Sequence, residues 1–291
     1  MKVFAYSKAL YSTWLYLEPM RLLLDAGEGI NCFLEGRLLA FRDLAITHAH
    51  TDHFTGLQNI LITRLREMEV TKEDIPPLNI YYPGDSHSLV RYFQYLEDVM
   101  SRWSDLVELH PMEPGDTLPL QGARGLHLTA LQAEHRVYKQ TALSYRVEQL
   151  RYGLKAELQG KPQSEINRII VEQGKSAITE PIMRTLVYYS GDGRPRLDPV
   201  SRGAALHIQE ATFLDTGNNR KIDHATLAEA VALFRELEAE QMLLFHLSTR
   251  HSMHEFWSAF NRIVTSDEER ERISVVKPGG MFVRDFVVPG F

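Results

Sequence analysis

The sequence predicts an α/β fold in which two packed sheets are covered on their outer faces by helices. Three observations lead there. Short β-rich runs fall into two blocks, one within residues 2–110 and one within 126–288. Segments with helical spacing follow strands in both blocks, so each sheet has helices to cover it. The composition, 44% apolar and 24% charged over 291 residues, suits a globular chain that buries a large core, long enough for one large domain or two ordinary ones; the expectation is a single domain spanning 1–291 with an insertion at about 151–184.

The first block opens with KVFAYS (2–7). STWLYLE (12–18) and RLLLD (21–25) then flank Glu18-Pro19, which reads as a hairpin turn. LAIT (44–47) is a strand. In 54–69, Leu57, Ile60, Leu61, Leu65 and Met68 recur at helical spacing. LNIYYP (78–83) returns to strand, and 89–100 reads as a helix, with Tyr92, Phe93, Leu96 and Val99 in step. Further strands follow at LVELH (106–110), LHLTALQ (126–132), ALSYRVEQ (142–149), LVYYSGD (186–192), ALHIQEA (205–211), MLLFHLS (242–248), ISVV (273–276) and MFVRDFVV (281–288). A helix over 226–239 opens with Thr226 and Glu229, a capping-box pair, and another is expected over 252–264.

One segment stands apart. Residues 151–184 are mostly polar and broken by Gly153, Gly160, Pro162, Gly174 and Pro181. Six basic residues, Arg151, Lys155, Lys161, Arg168, Lys175 and Arg184, face four glutamates, so the segment carries +2 in a protein of −6. Because it lies between two strands, it reads as an insertion. Its alternating Lys and Glu also match a solvated helix face.

Charge and composition exclude several classes. A net charge of −6 and a pI near 6.1 do not describe a general polyanion binder, so nucleic acid must be held through a local basic patch or a metal. No apolar run reaches membrane-spanning length, and Ser7, Lys8, Ser12 and Glu18 interrupt the N-terminal stretch, which is not read as a signal peptide. The single cysteine, Cys32, forms no intrachain disulfide, suits a reducing cytosol and is expected to be a small buried residue.

The chemistry is concentrated in THAHTDH (47–53). His48 and His50 follow a strand, and residues two apart in extended chain point the same way, so both imidazoles can meet one ion. Asp52 and His53 come at the start of the following helix and face elsewhere, so they can hold a second ion. Imidazole with carboxylate suits zinc, with manganese or iron as alternatives. Further donors close other strands: His135 ends LHLTALQAEH, Asp192 ends LVYYSGD, and His246 stands in MLLFHLS. A lone histidine or a turn aspartate at such a place is usually structural; the joint pattern at strand ends is what singles these out.

THAHTDH matches the H-x-H-x-D-H signature of the metallo-β-lactamase superfamily. LLLDAGEG (22–29) resembles the DCGEG element of ribonuclease Z proteins, the tRNA 3′-processing endonucleases. YYSGDGRP resembles their SGDTRP, IQEATF (208–213) their HEATF, DHATLAEA their HST/A element, and LFHLSTRH their HFSxRY. The pieces keep the family order from Asp25 to His251. The resemblance implies a four-layer αββα metallo-β-lactamase sandwich and two zinc ions per chain. It implies His48, His50 and His135 on one ion, Asp52, His53 and His246 on the other, and Asp192 between them. It also implies Asp25 as a hydrogen-bonding support, Glu210 and His224 as a proton-handling pair, and a cytoplasmic homodimer in which one subunit's arm serves the other's site.

The sequence departs from the family at Gly193 (threonine there), Ala26 (cysteine), Gln209 (histidine) and His251 (tyrosine). None of these removes a ligand. The insertion has Gly160-Lys161-Pro162-Gln163 where the family arm has a glycine-rich tip, so the arm reads as shortened.

The expected reaction is hydrolysis of a phosphodiester by a hydroxide generated between ions about 3.5–4 Å apart. Asp52 orients the nucleophile and His224, held by Glu210, protonates the leaving oxygen. The leading substrate is pre-tRNA bearing a 3′ trailer. The alternative is a small phosphodiester or phosphonate, such as a cyclic nucleotide, which the acidic net charge and short arm favour. A non-catalytic subunit has no use for seven intact donors.

Overall fold

A computed structural model describes residues 1–215 and 223–291. Six strands build the start of the first sheet: β1 (Lys2–Lys8), β2 (Ser12–Leu17), β3 (Leu22–Leu24), β4 (Asp43–Ala45), β5 (Leu78–Pro83) and β6 (Val107–Met112). The next seven form the second: β7 (Thr117–Pro119), β8 (Leu126–Gln132), β9 (Leu143–Leu154), β10 (Thr179–Tyr189), β11 (Leu206–Glu210), β12 (Gln241–Phe245) and β13 (Ile273–Val275). The last strand, β14 (Phe282–Asp285), returns to the first sheet and pairs antiparallel with β1. The sheet orders are β14-β1-β2-β3-β4-β5-β6 and β13-β12-β11-β10-β9-β8-β7.

The apolar faces of the sheets meet in one core that includes Leu15, Leu17, Leu24, Tyr145, Val187, Tyr189, Ile208 and Phe245. Helices α1 (Ile30–Leu34), α2 (Leu57–Thr71), α3 (His87–Val99) and α4 (Trp103–Leu106) cover the outer face of the first sheet through Ile30, Leu34, Leu57, Ile60, Leu61, Phe93, Leu96 and Leu106. After α5 (Gln163–Gln173), helices α6 (Leu227–Glu236), α7 (Met253–Ile263) and α8 (Asp267–Arg272) follow, and α6 and α7 cover the second sheet. This is the expected αββα layering. Helix α6 begins with the expected capping box: Thr226 accepts from the Glu229 amide, and the Glu229 carboxylate accepts from the Thr226 amide. Among the described residues, no helix is long and apolar enough to cross a membrane.

The insertion between two strands, with a solvated helix in it, is as read from the sequence. β9 runs to Leu154 and β10 starts at Thr179, so most of residues 151–184 belong to a two-stranded ribbon and to the elements at its tip. Leu158, Ile166 and Ile178 form a small core there, packed by Leu154, Ile169 and Ile170.

Cys32 is a correction. Helix α1 buries Ile30 and Leu34, four residues apart on one face, so position 32 points away and the thiol is exposed. Trp14, Leu15 and Tyr16 are buried in and over the first sheet, as expected.

Parallel pairing sets the location of the site. β3, β4 and β5 run parallel, as do β10, β11 and β12, and β8 shares their direction through antiparallel β9. The C-terminal ends of these strands therefore lie on one edge of the sandwich. Two cross-sheet bonds fasten the ligand loop there: Leu143 N donates to Thr47 O at 2.9 Å and Tyr145 OH donates to Ile46 O at 2.8 Å.

Candidate metal centre

The loop after β4 carries the first donors. His48 Nε2 stands 3.0 Å from His50 Nδ1, as expected of rings on one side of an extended chain. His135, three residues past β8, brings its Nε2 to 3.2 Å from His50 Nδ1. Asp52 and His53 occupy a separate 3-10 turn, Thr51–His53, ahead of α2, where the sequence suggested the helix start itself. The turn directs them to a second cluster with His246, the residue that follows β12. Asp52 Oδ2 lies 3.7 Å from His53 Nε2 and 3.6 Å from His246 Nε2.

Asp192 lies between the two clusters. Its Oδ2 is 3.2 Å from His53 Nε2, 3.2 Å from His246 Nε2 and 3.9 Å from His48 Nε2. The donor atoms of His48, His50, His135 and Asp192 lie within 4.8 Å of one another, and so do those of Asp52, His53 and His246. All seven residues expected from the sequence are thus brought together.

Hydrogen bonds decide which imidazole nitrogen faces inward. Asp25, fully buried, accepts from Thr47 N at 2.7 Å, His53 Nδ1 at 2.8 Å, Tyr189 OH at 2.7 Å and Thr47 Oγ1 at 2.9 Å. Because Thr47 Oγ1 donates to Asp25, it accepts from His48 Nδ1 at 2.9 Å. Thr212 Oγ1 likewise donates to Glu210 Oε2 at 2.6 Å and accepts from His246 Nδ1 at 2.9 Å. His135 Nδ1 donates to Asp223 O at 3.1 Å. Four rings therefore carry their proton on Nδ1 and turn the Nε2 lone pair to the centre, when neutral. His50 instead presents Nδ1.

These residues fit divalent cations. His53 Nε2, His246 Nε2 and Asp192 Oδ1 are buried without hydrogen-bond partners among the described residues. The 3.2 Å approaches to Asp192 Oδ2 lack hydrogen-bond geometry. Buried polar atoms normally find partners, and donors of this type converging without any are the mark of a cation site.

The electrostatics agree. Burial holds the His48 imidazole well below its usual range and brings His50 down to about 4, so both are neutral as ligands must be. Burial also opposes charge on His53, but the carboxylates of Asp192 and Asp25 override it and raise that imidazole well above the usual value. Without a cation, His53 is an imidazolium between two carboxylates.

Glu210 closes β11, and His224 stands just before α6. His224 Nδ1 donates to Glu210 Oε1 at 2.9 Å, and its ring is 4.9 Å from that of His135. Burial works against the charged form, yet the Glu210 hydrogen bond and charge, with Asp192, push His224 up to about 9. His224 also comes within ligand distance of Asp192 and His246. The nitrogen 4.0 Å from Asp192 Oδ2 is Nδ1, the one that Glu210 holds, so Nε2 is the nitrogen left to give a proton. Glu210 is itself held by the Gly193 amide at 2.8 Å and by the Thr212 amide at 3.0 Å.

Gly193 has φ +138°, and a Cβ there would meet Glu134 O at 2.8 Å. A side chain at that position does not fit this backbone, which accounts for one departure from the family pattern.

Three supports were missed in the sequence. Ser7 Oγ accepts from the His246 amide at 2.9 Å, holding a residue with φ +59° in the left-handed region. Tyr189 holds Asp25. Thr212 was passed over, although its place two residues after Glu210 on a strand end marked it as a same-side neighbour.

Solved structures share this architecture. The short form of human tRNase Z superposes with a TM-score of 0.64 at 18% identity, covering 97% of this chain and 98% of that one. YhfI from Bacillus subtilis, a metallo-beta-lactamase fold protein, gives 0.63 at 16% identity, covering 98% and 100%. Layering, strand order and the donor set at the strand ends define a protein of the metallo-β-lactamase fold with a candidate divalent-metal site.

No family model matches the chain. It is 30% identical to Ribonuclease Z of Myxococcus xanthus over 254 residues, 79% of this chain and 78% of that protein. It is 28% identical to Ribonuclease Z of Archaeoglobus fulgidus over 258 residues, 80% and 79%. The chain belongs to the ribonuclease Z family.

Proposed function

We propose that this protein is a metal-dependent phosphodiesterase, a ribonuclease Z-like endonuclease that removes 3′ trailers from pre-tRNA. The observation that carries the reading is the Glu210–His224 pair, bonded at 2.9 Å beside two donor sets that adjoin at Asp192. Relatives named Ribonuclease Z support the substrate. His48, His50 and His135 would hold one ion and Asp52, His53 and His246 the second, with Asp192 available to both. Zinc suits this donor set, and manganese or iron would also fit. Such ions, once bound, would supply an activated water and offset charge on the phosphate.

The chain's own residues do the rest. Asp52 would help to orient the attacking water with its carboxylate. His224, whose charged form the Glu210 carboxylate favours, gives its Nε2 proton to the leaving oxygen. Glu210 keeps that ring protonated on Nδ1 and fixes its direction, while the Gly193 and Thr212 amides keep Glu210 in place. We take residues 1–291 as one domain whose 151–184 ribbon is the substrate arm, and the working form as a cytoplasmic homodimer.

A second reading, hydrolysis of small phosphodiesters, is favoured by the arm's pairing of charge, as in Lys161–Glu165 at 2.7 Å, in a protein of net charge −6. Zinc-loaded protein offered trailer-bearing pre-tRNA and bis(p-nitrophenyl) phosphate separates the two. Cleavage at the trailer junction supports the first. Turnover of the small ester with pre-tRNA untouched at low salt replaces it with the second.

A further inference from the structure

Tyr138 is exposed over 80% of its surface, yet its ring lies 6.2 Å from that of His50, edge to face, at the rim of the candidate metal centre. An aromatic ring left so open is unusual unless something covers it. Its backbone is also costly. Tyr138 and Lys139 have φ of +46° and +64°, two successive left-handed residues with full side chains, each such residue costing about 1–2 kcal/mol.

The loop holding them is fastened on both sides. Val137 is buried in the core under the first sheet, and Gln140 N donates to Val137 O at 2.7 Å to close the turn. The Gln140 side chain accepts from Ser86 Oγ at 2.8 Å, and Thr141 N and Oγ1 donate to Asp85 at 2.9 and 2.8 Å. These anchors stand at the start of α3, so the loop is braced from outside the centre. Strain that persists because its surroundings enforce it marks a place where a side chain is being aimed.

We propose that Tyr138 is a stacking platform for the nucleobase of a nucleotide next to the scissile phosphate. The inference rests on the phosphodiesterase reading with an RNA substrate and adds a base-binding subsite to it. A ring one imidazole away from the donor cluster is at the right range to take the base attached to a phosphate held in that cluster. Stacking suits this task because every base offers a π-face, so the contact positions the strand without demanding a sequence. The neighbouring Lys139 side chain, exposed on the same turn, faces solvent where the adjoining backbone phosphate would pass.

The test compares wild type, Tyr138→Ala and Tyr138→Phe on trailer-bearing pre-tRNA and on bis(p-nitrophenyl) phosphate, which has no base. Base stacking is worth about 1–3 kcal/mol by alanine substitution, or about 5- to 150-fold. Tyr138→Ala is expected to lose kcat/KM on RNA by a factor in that range, at least about 5-fold more than on the small ester; Tyr138→Phe restores it. Metal-free protein provides a readout without turnover: 2-aminopurine beside the junction is quenched on binding to wild type and Tyr138→Phe but stays bright with Tyr138→Ala. An abasic residue at that position should reproduce the loss in wild type and add nothing to Tyr138→Ala. Equal losses on both substrates, or full abasic sensitivity in Tyr138→Ala, overturn the proposal while leaving the phosphodiesterase reading intact. A wild-type protein that leaves RNA uncut overturns the RNA-substrate reading and the proposal with it.

Discussion

Asp25→Asn is the sharpest probe of how the centre is organised. Asp25 has φ +56°, a conformation that asparagine adopts readily, so the substitution keeps backbone and shape while changing one oxygen into an amide nitrogen. In the native chain one carboxylate oxygen accepts from Thr47 N, and the other accepts from His53 Nδ1 at 2.8 Å and Tyr189 OH at 2.7 Å. Asparagine can still accept from Thr47, but its NH2 then faces two donors. Two charge-assisted bonds at about 1.5–3 kcal/mol each set the cost of leaving both unmade at about 3–6 kcal/mol. The chain has a cheaper escape: His53 can keep a single proton, held on Nε2, and accept from the amide through Nδ1. That keeps the fold but places a proton on the nitrogen that faces Asp192, where the ion must bind. Affinity at the Asp52–His53–His246 cluster should fall by about 10- to 100-fold, as it does when a ligand's supporting partner is lost, and the other cluster should be less affected. Competition with a chromogenic chelator measures both affinities, and two-bond ¹H–¹⁵N correlation spectra report the His53 tautomer. Unchanged affinity together with an unchanged tautomer would refute the reasoning.

Thr212→Val removes the hydroxyl that joins Glu210 Oε2 to His246 Nδ1 at 2.6 and 2.9 Å. It should weaken the same cluster by about 10-fold or more and slow turnover, with Thr212→Ser restoring both; a valine variant indistinguishable in metal titration counts against the link. Cation binding near pH 7 should release about one proton per chain from His53, which the neighbouring carboxylates keep charged in the metal-free protein. Calorimetry in buffers of different ionisation enthalpy reads it, and zero net release contradicts it. His207 tests stability away from the centre. Burial holds its imidazole at about 4 against a usual 6.5, so the unfolded chain takes up a proton that the folded chain refuses. The associated stability is complete above 6.5 and is lost as pH falls toward 4, by up to about 3 kcal/mol. His207→Phe should flatten this fall in metal-free urea titrations; parallel curves for wild type and variant from pH 7 to 4.5 would exclude it. Replacing 155–178 by a short turn is sterically simple, because Lys155 N already bonds Ile178 O at 3.0 Å. The shortened protein should lose pre-tRNA cleavage and its steep salt dependence while keeping small-ester hydrolysis, and equal loss on both substrates would make the ribbon a structural element instead.

Local pattern made much of this protein readable. The alternation of residues in extended chain put His48 and His50 on one side, and the Thr226 and Glu229 capping pair located α6. The strand runs ending in His135, Asp192 and His246 marked which residues stand at sheet edges, and the layered fold followed from two such blocks with their helices. These are properties of neighbours in sequence, where spacing alone sets direction. Convergence is different. That His53 and His246 each come to 3.2 Å from Asp192 depends on parallel pairing that aligns the C-terminal ends of β10, β11 and β12 and on cross-sheet bonds that bring the β4 loop to them. The supports show it most clearly. Ser7 holds the amide of His246 across 239 positions of chain, and Tyr189 reaches Asp25 across 164, separations over which no periodicity carries information. The exposure of Cys32, the ribbon hidden in a polar insertion and the braced turn under Tyr138 likewise arise from which faces other elements cover and which loops they fasten. The sequence by itself determined the chemical groups and the strands that carry them; tertiary packing decided which nitrogen of His53, His135 and His246 faces inward, because the partner that settles each of those protons comes from another part of the chain or from a backbone group placed by the fold.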